Sequence, residues 1–367
     1  MEEQTNRCKK VFAAGNTGVG FHSFFEYIAG PEIESVYVLK GGPGTGKSTL
    51  MKRVAQAAAK RGYFIEMHYC ASDVDSLDAL VIPGLGAAFI DGMRPHIYDP
   101  PYPGALGQIL NLGEFWHSSG IRAHKQAIVA AGDEGSRLFQ SAFRYLKAAK
   151  EIHGNWADKI QRVQDKSCFN RQKKSLLKTV DFNNQTAGDD PGRLRHLFAA
   201  AIGPVGPISY LDSLTGPKTE VILLKGPPGS GKSELLKDWA KTALELGWDV
   251  EAYHNPIDPR KVQHVLCPGL DIFIAAQTEL FPYEAVDPCE IIDLNQSLDQ
   301  KRLKQYRTEL ELDRQTFLQL VSTAVQMIYQ ARETHLEVEH FYVKHMDFTA
   351  LDAMCTELIC DIMHDTD

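Results

Sequence analysis

The sequence predicts an α/β fold built from two tandem copies of one domain, each a parallel sheet flanked by helices and followed by a helical extension. Three observations support this. A long segment of the chain recurs 185 residues later. Each copy has a short apolar segment that stops at a glycine-rich loop and continues as an amphipathic pattern. Each copy also closes with long helical patterns.

The repeat is visible when the sequence is shifted against itself. Residues 36–91 overlay residues 221–276 without a gap, and 19 of these 56 positions are identical. Weaker similarity on both sides extends the repeat over nearly the whole chain, and its period is longer than that of solenoid proteins. We therefore predict one domain at residues 1–185 and a second at 186–367, joined by a polar linker at Asp181–Gly192.

The first element of each copy is a strand. Val36–Lys40 and Val221–Lys225 are short apolar segments that end at glycines, which is typical of a buried parallel strand entering a tight loop. A helix follows each loop, because apolar residues recur there at helical spacing. The apolar stripes are Leu50, Met51, Val54, Ala55 and Ala58 in the first copy, and Leu235, Leu236, Trp239, Ala240 and Ala243 in the second.

Two further strands and the terminal helices complete each copy. FIEMHY and DVEAYH predict a second strand, and Ala87–Asp91 predicts a third. Long helical patterns lie around Ser136–Val163 and Gln300–Met363. Strand, loop, helix, strand and strand is the beginning of a doubly wound α/β domain.

Composition and charge limit the classes of protein to which this chain can belong. The 367 residues are 44% hydrophobic and 23% charged, as in ordinary globular proteins. The first 185 residues carry 23 basic and 18 acidic side chains, a net charge of +5, and the rest carry 16 and 29, a net charge of −13. The basic half could favour nucleic acid, but no interleaving of aromatic and basic residues supports this, so we expect none. The alternative is attraction between oppositely charged halves or partner subunits.

Targeting features predict a cytoplasmic protein. The seven cysteines show neither a CxxC pair nor zinc-ligand spacing, which indicates reduced thiols. The first ten residues lack the apolar segment of a secretory signal, and no apolar run approaches the ~18 residues of a membrane span. We therefore expect no membrane partner.

Two glycine-rich loops carry the chemistry. GGPGTGKS at Gly41–Ser48 and GPPGSGKS at Gly226–Ser233 both match GxxxxGK[ST]. Glycines let successive backbone N–H groups point at one phosphate, beside the positive end of the following helix. In this pattern Lys47 or Lys232 reaches the β- and γ-phosphates, and the Ser48 or Ser233 hydroxyl ligates Mg²⁺. The predicted nucleotide-binding residues are Gly41, Gly42, Pro43, Gly44, Thr45, Gly46, Lys47, Ser48 and Thr49, then Gly226, Pro227, Pro228, Gly229, Ser230, Gly231, Lys232, Ser233 and Glu234.

Both copies resemble P-loop NTPase domains. GPPGSGKS is similar to loops of AAA-type ATPases and of nucleoside monophosphate kinases, and it does not choose between them. The tandem layout also resembles a poorly characterised group of bacterial ATP-binding proteins with two P-loops. The resemblance implies ATP and Mg²⁺ as ligands.

Besides the loop hydroxyl, P-loop enzymes need a carboxylate on the Mg²⁺ side, at the end of a nearby strand. Asp91 follows four apolar residues and predicts a Walker B aspartate that serves in catalysis and metal binding; the alternative is a strand-end aspartate that starts a turn. The aligned residue in the second copy is Ala276. The other candidate catalytic carboxylate is Asp73, retained as Asp258, whose alternative is a turn or helix-capping residue.

Other polar positions recur in the terminal helices. Lys150 and Arg332 lie in matching A(K/R)ExH segments, together with His153 and His335. Such a cation could contact a γ-phosphate or could lie on a solvated helix face.

Three functions fit these residues. The first is a Mg²⁺-dependent ATPase that hydrolyses ATP at the first site and uses the second as a regulatory or structural site. The second is a kinase that transfers the γ-phosphate to a nucleotide or small molecule. The region after Asp91 is poor in the arginines of a kinase lid, which favours the ATPase. The third is a nucleotide-gated binding module with little turnover. The sequence does not identify a protein or small-molecule partner.

Overall fold

The computed structural model describes residues 8–100, 102–179, 190–285 and 287–364. The chain divides into two compact units. The first unit comprises Met1–Gly15, Ser23–Ser141 and Gln326–Asp367, and the second comprises Asn16–His22 and Ala142–Val325. Each unit therefore takes residues from both halves of the sequence. The predicted boundary at residue 185 follows the repeat along the chain, and most of its linker, at residues 181–189, lies outside the described residues.

The first unit contains a mixed six-stranded sheet. Its strands are β1 (Cys8–Val11), β4 (Ser35–Lys40), β5 (Ile65–Tyr69), β6 (Leu77–Ile82), β7 (Ala87–Asp91) and β8 (Gly107–Asn111). Their order across the sheet is β1-β5-β6-β7-β4-β8. The strand β4, which leads into the first glycine loop, lies between the parallel strands β7 and β8.

The prediction of a parallel sheet is wrong for one strand in each copy. β6 runs antiparallel to both β5 and β7. The four residues Pro83–Gly86 join β6 to β7, and Gly86 has a positive φ of 57°. A connection this short cannot hold the crossover that a parallel neighbour needs, so β6 and β7 must form a hairpin.

The second unit repeats this sheet. Its strands are β9 (Leu194–Leu197), β12 (Glu220–Lys225), β13 (Val250–His254), β14 (Val262–Cys267), β15 (Ile272–Ala276) and β16 (Glu290–Asp293). The order β9-β13-β14-β15-β12-β16 matches the first sheet strand for strand, with β14 as the antiparallel strand. The two glycine loops therefore leave equivalent strands, as the repeat predicts.

Two hairpins lie outside these sheets. They are β2 (Ala14–Thr17) with β3 (Gly20–Ser23), and β10 (Ala200–Gly203) with β11 (Gly206–Ser209). The sequence analysis assigned no structure to them.

The helix after each glycine loop packs its predicted stripe into the core. These helices are α1 (Lys47–Lys60) and α5 (Lys232–Glu245). All ten predicted stripe residues are buried, among them Met51 and Trp239 with no exposed surface. Burying each large apolar side chain contributes about 1.5–3 kcal/mol, so the stripes hold both helices on their sheets.

The remaining helices form the predicted extensions, and each unit uses part of both. They are α2 (Ser118–Ala123), α3 (Lys125–Arg162), α4 (Lys166–Thr179), α6 (Gln300–Gln305), α7 (Arg307–Val343) and α8 (Phe348–His364). Residues 326–343 of α7 and α8 belong to the first unit, whereas residues 142–162 of α3 and α4 belong to the second. We call these two sets the cover helices.

The cover helices contribute to the core of the unit that they join. Leu351, Cys355 and Ile362 of α8 are buried in one cluster with the stripe of α1. Phe169 and Leu176 of α4 are buried in one cluster with the stripe of α5. Each unit's core is thus completed by the extension that belongs, in sequence, to the other copy.

No helix among the described residues combines the length and apolar character that crossing a membrane requires.

We expect Gly229→Ala to destabilise the second unit. Gly229 has a φ of 83°, and a Cβ there would overlap the Ala157 carbonyl of α3. The free energy of unfolding should fall by about 2 kcal/mol or more, from backbone strain and overpacking. Urea unfolding followed by tryptophan fluorescence measures the change.

Gly154→Ala is the matched control in the same unit. Gly154 lies within α3 with no atom within 4 Å of an added Cβ, so alanine should stabilise the helix by about 1 kcal/mol. Equal effects of the two substitutions would contradict the proposed contact between loop and helix.

Candidate functional site

The first glycine loop, residues 41–46, is shaped by its glycines. Gly44 and Gly46 have φ values of 68° and 87°, a region that other residues rarely adopt. Among the described residues, the backbone N–H groups of residues 44–48 donate to no protein acceptor. These groups surround the start of α1, where the positive end of the helix favours an anion.

Lys47 and Asp91 meet beside this loop. The Lys47 ammonium donates to the carbonyls of Gly41 and Gly42 at 2.9 and 3.0 Å, and its Nζ lies 3.6 Å from Asp91 Oδ2. Burial raises the pKa of Asp91 above its ordinary value, whereas the charge of Lys47 opposes this effect. The sequence placed Asp91 near Lys47, and the structure brings the two together.

Asp78 is a further acidic residue near Asp91 that the sequence analysis missed. It lies on β6, its side chain is 7% exposed, and its charge helps to raise the pKa of Asp91. His96 Nε2 lies 3.4 Å from Asp78 Oδ2, and the His96 ring stacks on Phe25. The sequence offered one signal for Asp78, which is an acidic residue inside the otherwise apolar segment LDALVI.

Asp73 pairs with a cover helix of the same unit. Arg332 of α7 donates from Nε to Asp73 Oδ1 at 3.1 Å, and Ser76 donates to the other carboxylate oxygen at 2.6 Å. Burial lowers the pKa of the neighbouring His335, and the charges of both Asp73 and Lys47 also act on it. The predicted cation Arg332 therefore lies in the neighbourhood of the first loop rather than on a solvated face.

The cover helices also contact the loop glycines of this unit. A Cβ on Gly42 would lie 2.5 Å from the Tyr342 ring, and one on Gly44 would lie 2.6 Å from Glu339. A Cβ on Gly46 would lie 3.0 Å from Leu351 of α8. Close helix packing is thus a second reason for glycine at these positions, besides access to an anion.

The second loop, residues 226–231, has the same contacts with its own cover helices. A Cβ on Gly229 would overlap Ala157 of α3, and one on Gly231 would overlap the ring of Phe169 on α4. Gln164, between these helices, donates to the Ser230 carbonyl at 2.8 Å. Ala157 and Phe169 precede Glu339 and Leu351 by 182 residues, the offset of the terminal repeat.

Lys232 is the buried cation of the second loop. Its ammonium donates to the Gly226 carbonyl and, at 3.0 Å, to the Pro227 carbonyl. Burial lowers its pKa from about 10.5 to about 8. Burial also lowers the pKa of His153 to about 4, and the positive charges of Lys261 and Lys232 add to that effect.

A cavity of about 990 Å³ opens beside the second loop. Its size is at the upper end of the range for small-molecule sites. The lining includes the whole loop, Ser233, Glu234, four lysines and three large aromatic side chains: Lys225, Lys232, Lys237, Lys261, Trp156, Phe281 and Phe317.

Two carboxylates of the first site, Asp91 and Asp78, have no counterparts here. Ala276 ends β15 at the position that Asp91 occupies on β7, and Gln263 aligns with Asp78. Asp258, the counterpart of Asp73, accepts two hydrogen bonds from Arg260 at 2.8 and 3.0 Å. The two loops thus share their backbone design and differ in charge.

Comparison with known protein families, with curated proteins and with solved structures finds no match to this chain. The resemblance of the two loops to P-loop NTPases therefore stays a prediction from the sequence.

We expect Lys232 to titrate near pH 8, because burial disfavours its charged form. Carbon NMR of the lysine ε positions measures this, with Lys232→Arg to assign the resonance. The folded pKa is below the unfolded value, so this lysine disfavours folding at neutral pH. That unfavourable contribution disappears as the pH rises from about 8 to about 10.5. A Lys232 midpoint near 10.5 would contradict the buried position.

Proposed function

We propose that the chain is an ATPase with two nucleotide sites. The first glycine loop carries Mg²⁺-dependent hydrolysis, and the second holds a nucleotide that regulates or supports the first. The observation that supports this most is the 3.6 Å contact of Lys47 with Asp91, where the second loop has Lys232 and Ala276.

The residues of the first loop suit a triphosphate. The N–H groups of residues 44–48 and the Lys47 ammonium together offer positive charge to phosphate oxygens. Hydrolysis also needs a group that polarises water or holds the cation. Asp91 fits that role, because it is partly buried beside Lys47 and the lysine charge favours its ionised form.

The donor set at the first loop suits Mg²⁺. This cation prefers oxygen ligands and usually takes only one or two carboxylates, with phosphates and water completing its shell. Ser48 and Asp91 would supply the protein oxygens, and the cation would offset phosphate charge. Among the described residues, no group of three or more His, Cys, Asp or Glu side chains could hold a metal.

We assign Asp73 a positioning role in this reaction. Its carboxylate is held by Ser76 and holds Arg332 in the unit that contains the first loop. A guanidinium near developing phosphate charge can contribute strongly to hydrolysis. Arg332 is therefore the cation that we expect to act on the phosphates.

The proposal predicts that Asp91→Asn loses turnover and retains binding. Steady-state phosphate release from ATP should fall by about 100-fold or more, because several kcal/mol of transition-state stabilisation is removed. The Kd for ATP should change by less than about threefold. Asp133→Asn, an exposed position on α3, is the control and should be normal.

Lys232→Ala separates the two sites in the same assay. It should lower turnover only in part or alter its dependence on ATP. Normal turnover by Asp91→Asn with none by Lys232→Ala would mean that the sites are assigned in reverse. Phosphate transfer seen only with an added nucleoside or nucleotide would identify a kinase instead.

A further inference from the structure

The cavity beside the second loop has an excess of positive charge near that loop. Lys232 is buried against loop carbonyls, which cannot neutralise its charge, and it forms no ion pair among the described residues. Lys225, Lys237 and Lys261 line the same cavity. A buried ammonium without a counter-charge is costly, and an anionic ligand would remove that cost.

The acidic residues of the cavity lining already have basic partners. Asp238 forms an ion pair with Lys173 of α4, whose Nζ also lies 3.6 Å from Glu234. Glu279 accepts from Arg314 Nε at 2.6 Å. The acidic residues therefore offer the cavity little uncompensated negative charge for a cation.

The strands β14 and β15 supply no carboxylate either. Ala276 lies opposite Leu224 in the sheet, as Asp91 lies opposite Leu39. Gln263, the counterpart of Asp78, uses its amide to accept from Asn255 at 2.8 Å. The strands β6 and β7 of the first unit carry two carboxylates, and their counterparts β14 and β15 carry none.

Apolar walls complete the cavity. Phe281 and Phe317 are 2% exposed and Trp156 is 8% exposed, so their rings are held firmly in place. Apolar walls beside a cationic loop suit a ligand with a ring system and a phosphate tail, because such walls pack against an apolar ring and cations bind phosphate.

We propose that the cavity beside the second loop binds a nucleoside polyphosphate without a divalent cation, its lysines taking the place that Mg²⁺ and carboxylates have at the first loop. This inference rests on the proposed nucleotide binding and adds that the two sites differ in their need for metal. Without metal and carboxylate, the bound nucleotide is not set up for hydrolysis.

The test is equilibrium dialysis of labelled ATP against the full chain, in Mg²⁺ and in EDTA. One binding event should persist in EDTA with a Kd within about threefold of its value in Mg²⁺. Lys232→Ala should remove that event, and Lys47→Ala should leave it. Loss of all binding in EDTA, or an EDTA-resistant event that depends on Lys47, would overturn the inference.

A charge introduced at position 276 provides an independent test, made in the Lys47→Ala background. Ala276→Asp should weaken ATP binding in EDTA by about tenfold or more, with recovery in Mg²⁺, because a buried carboxylate repels phosphate. Ala276→Asn has the same shape without the charge and should bind equally with and without the cation. A Mg²⁺ requirement in Ala276→Asn, or equal behaviour of both variants, would contradict the inference.

Phosphate release in Mg²⁺ separates this inference from the proposed function. Turnover without EDTA-resistant binding refutes metal-free binding alone. EDTA-resistant binding that depends on Lys232, without any turnover, refutes ATP hydrolysis by this chain and supports metal-free binding at the second loop.

Discussion

The close approach of helix to glycine at both loops is the constraint on which the rest of the structure depends. Gly44 packs against α7 and Gly229 packs against α3, and each has a positive φ. Glycine adopts such a φ at little cost because it lacks Cβ, whereas other residues rarely adopt it. This packing fixes the loop, and the loop fixes the start of the following helix. The lysine at that start and the strand ends beside it therefore have defined positions.

Charge balance distinguishes two loops that share one backbone design. At the first loop the lysine lies beside a carboxylate, and the lysine charge favours the ionised form of that carboxylate. At the second loop the corresponding lysine, Lys232, donates to loop carbonyls and forms no ion pair among the described residues, and burial lowers its pKa to about 8. The difference arises from substitutions on two neighbouring strands, and it requires no change in the sheet. A repeat can thus keep a fold while the charge beside its loop changes.

The sequence predicted much of each core but not which cover helices complete it. The apolar stripes of α1 and α5 and the strands beside them could be predicted, because the local spacing of apolar residues determines them. β6 was missed because Asp73, just ahead of it, also fits a turn or a helix cap, although the short connection to β7 requires a hairpin. The pairing of Arg332 with Asp73 joins residues 259 positions apart. The local spacing of residues in the sequence does not show which copy's helices cover which loop.

The reciprocal use of the helical extensions has a consequence for how this chain could arise and change. If each copy covered its own loop, one copy could be deleted and the other would remain whole. Here removal of either half takes the sheet and loop of one unit together with the cover helices of the other. The first loop together with its cover helices therefore requires both copies. The same pattern would result from fusing, end to end, two subunits of an ancestor that exchanged their terminal helices.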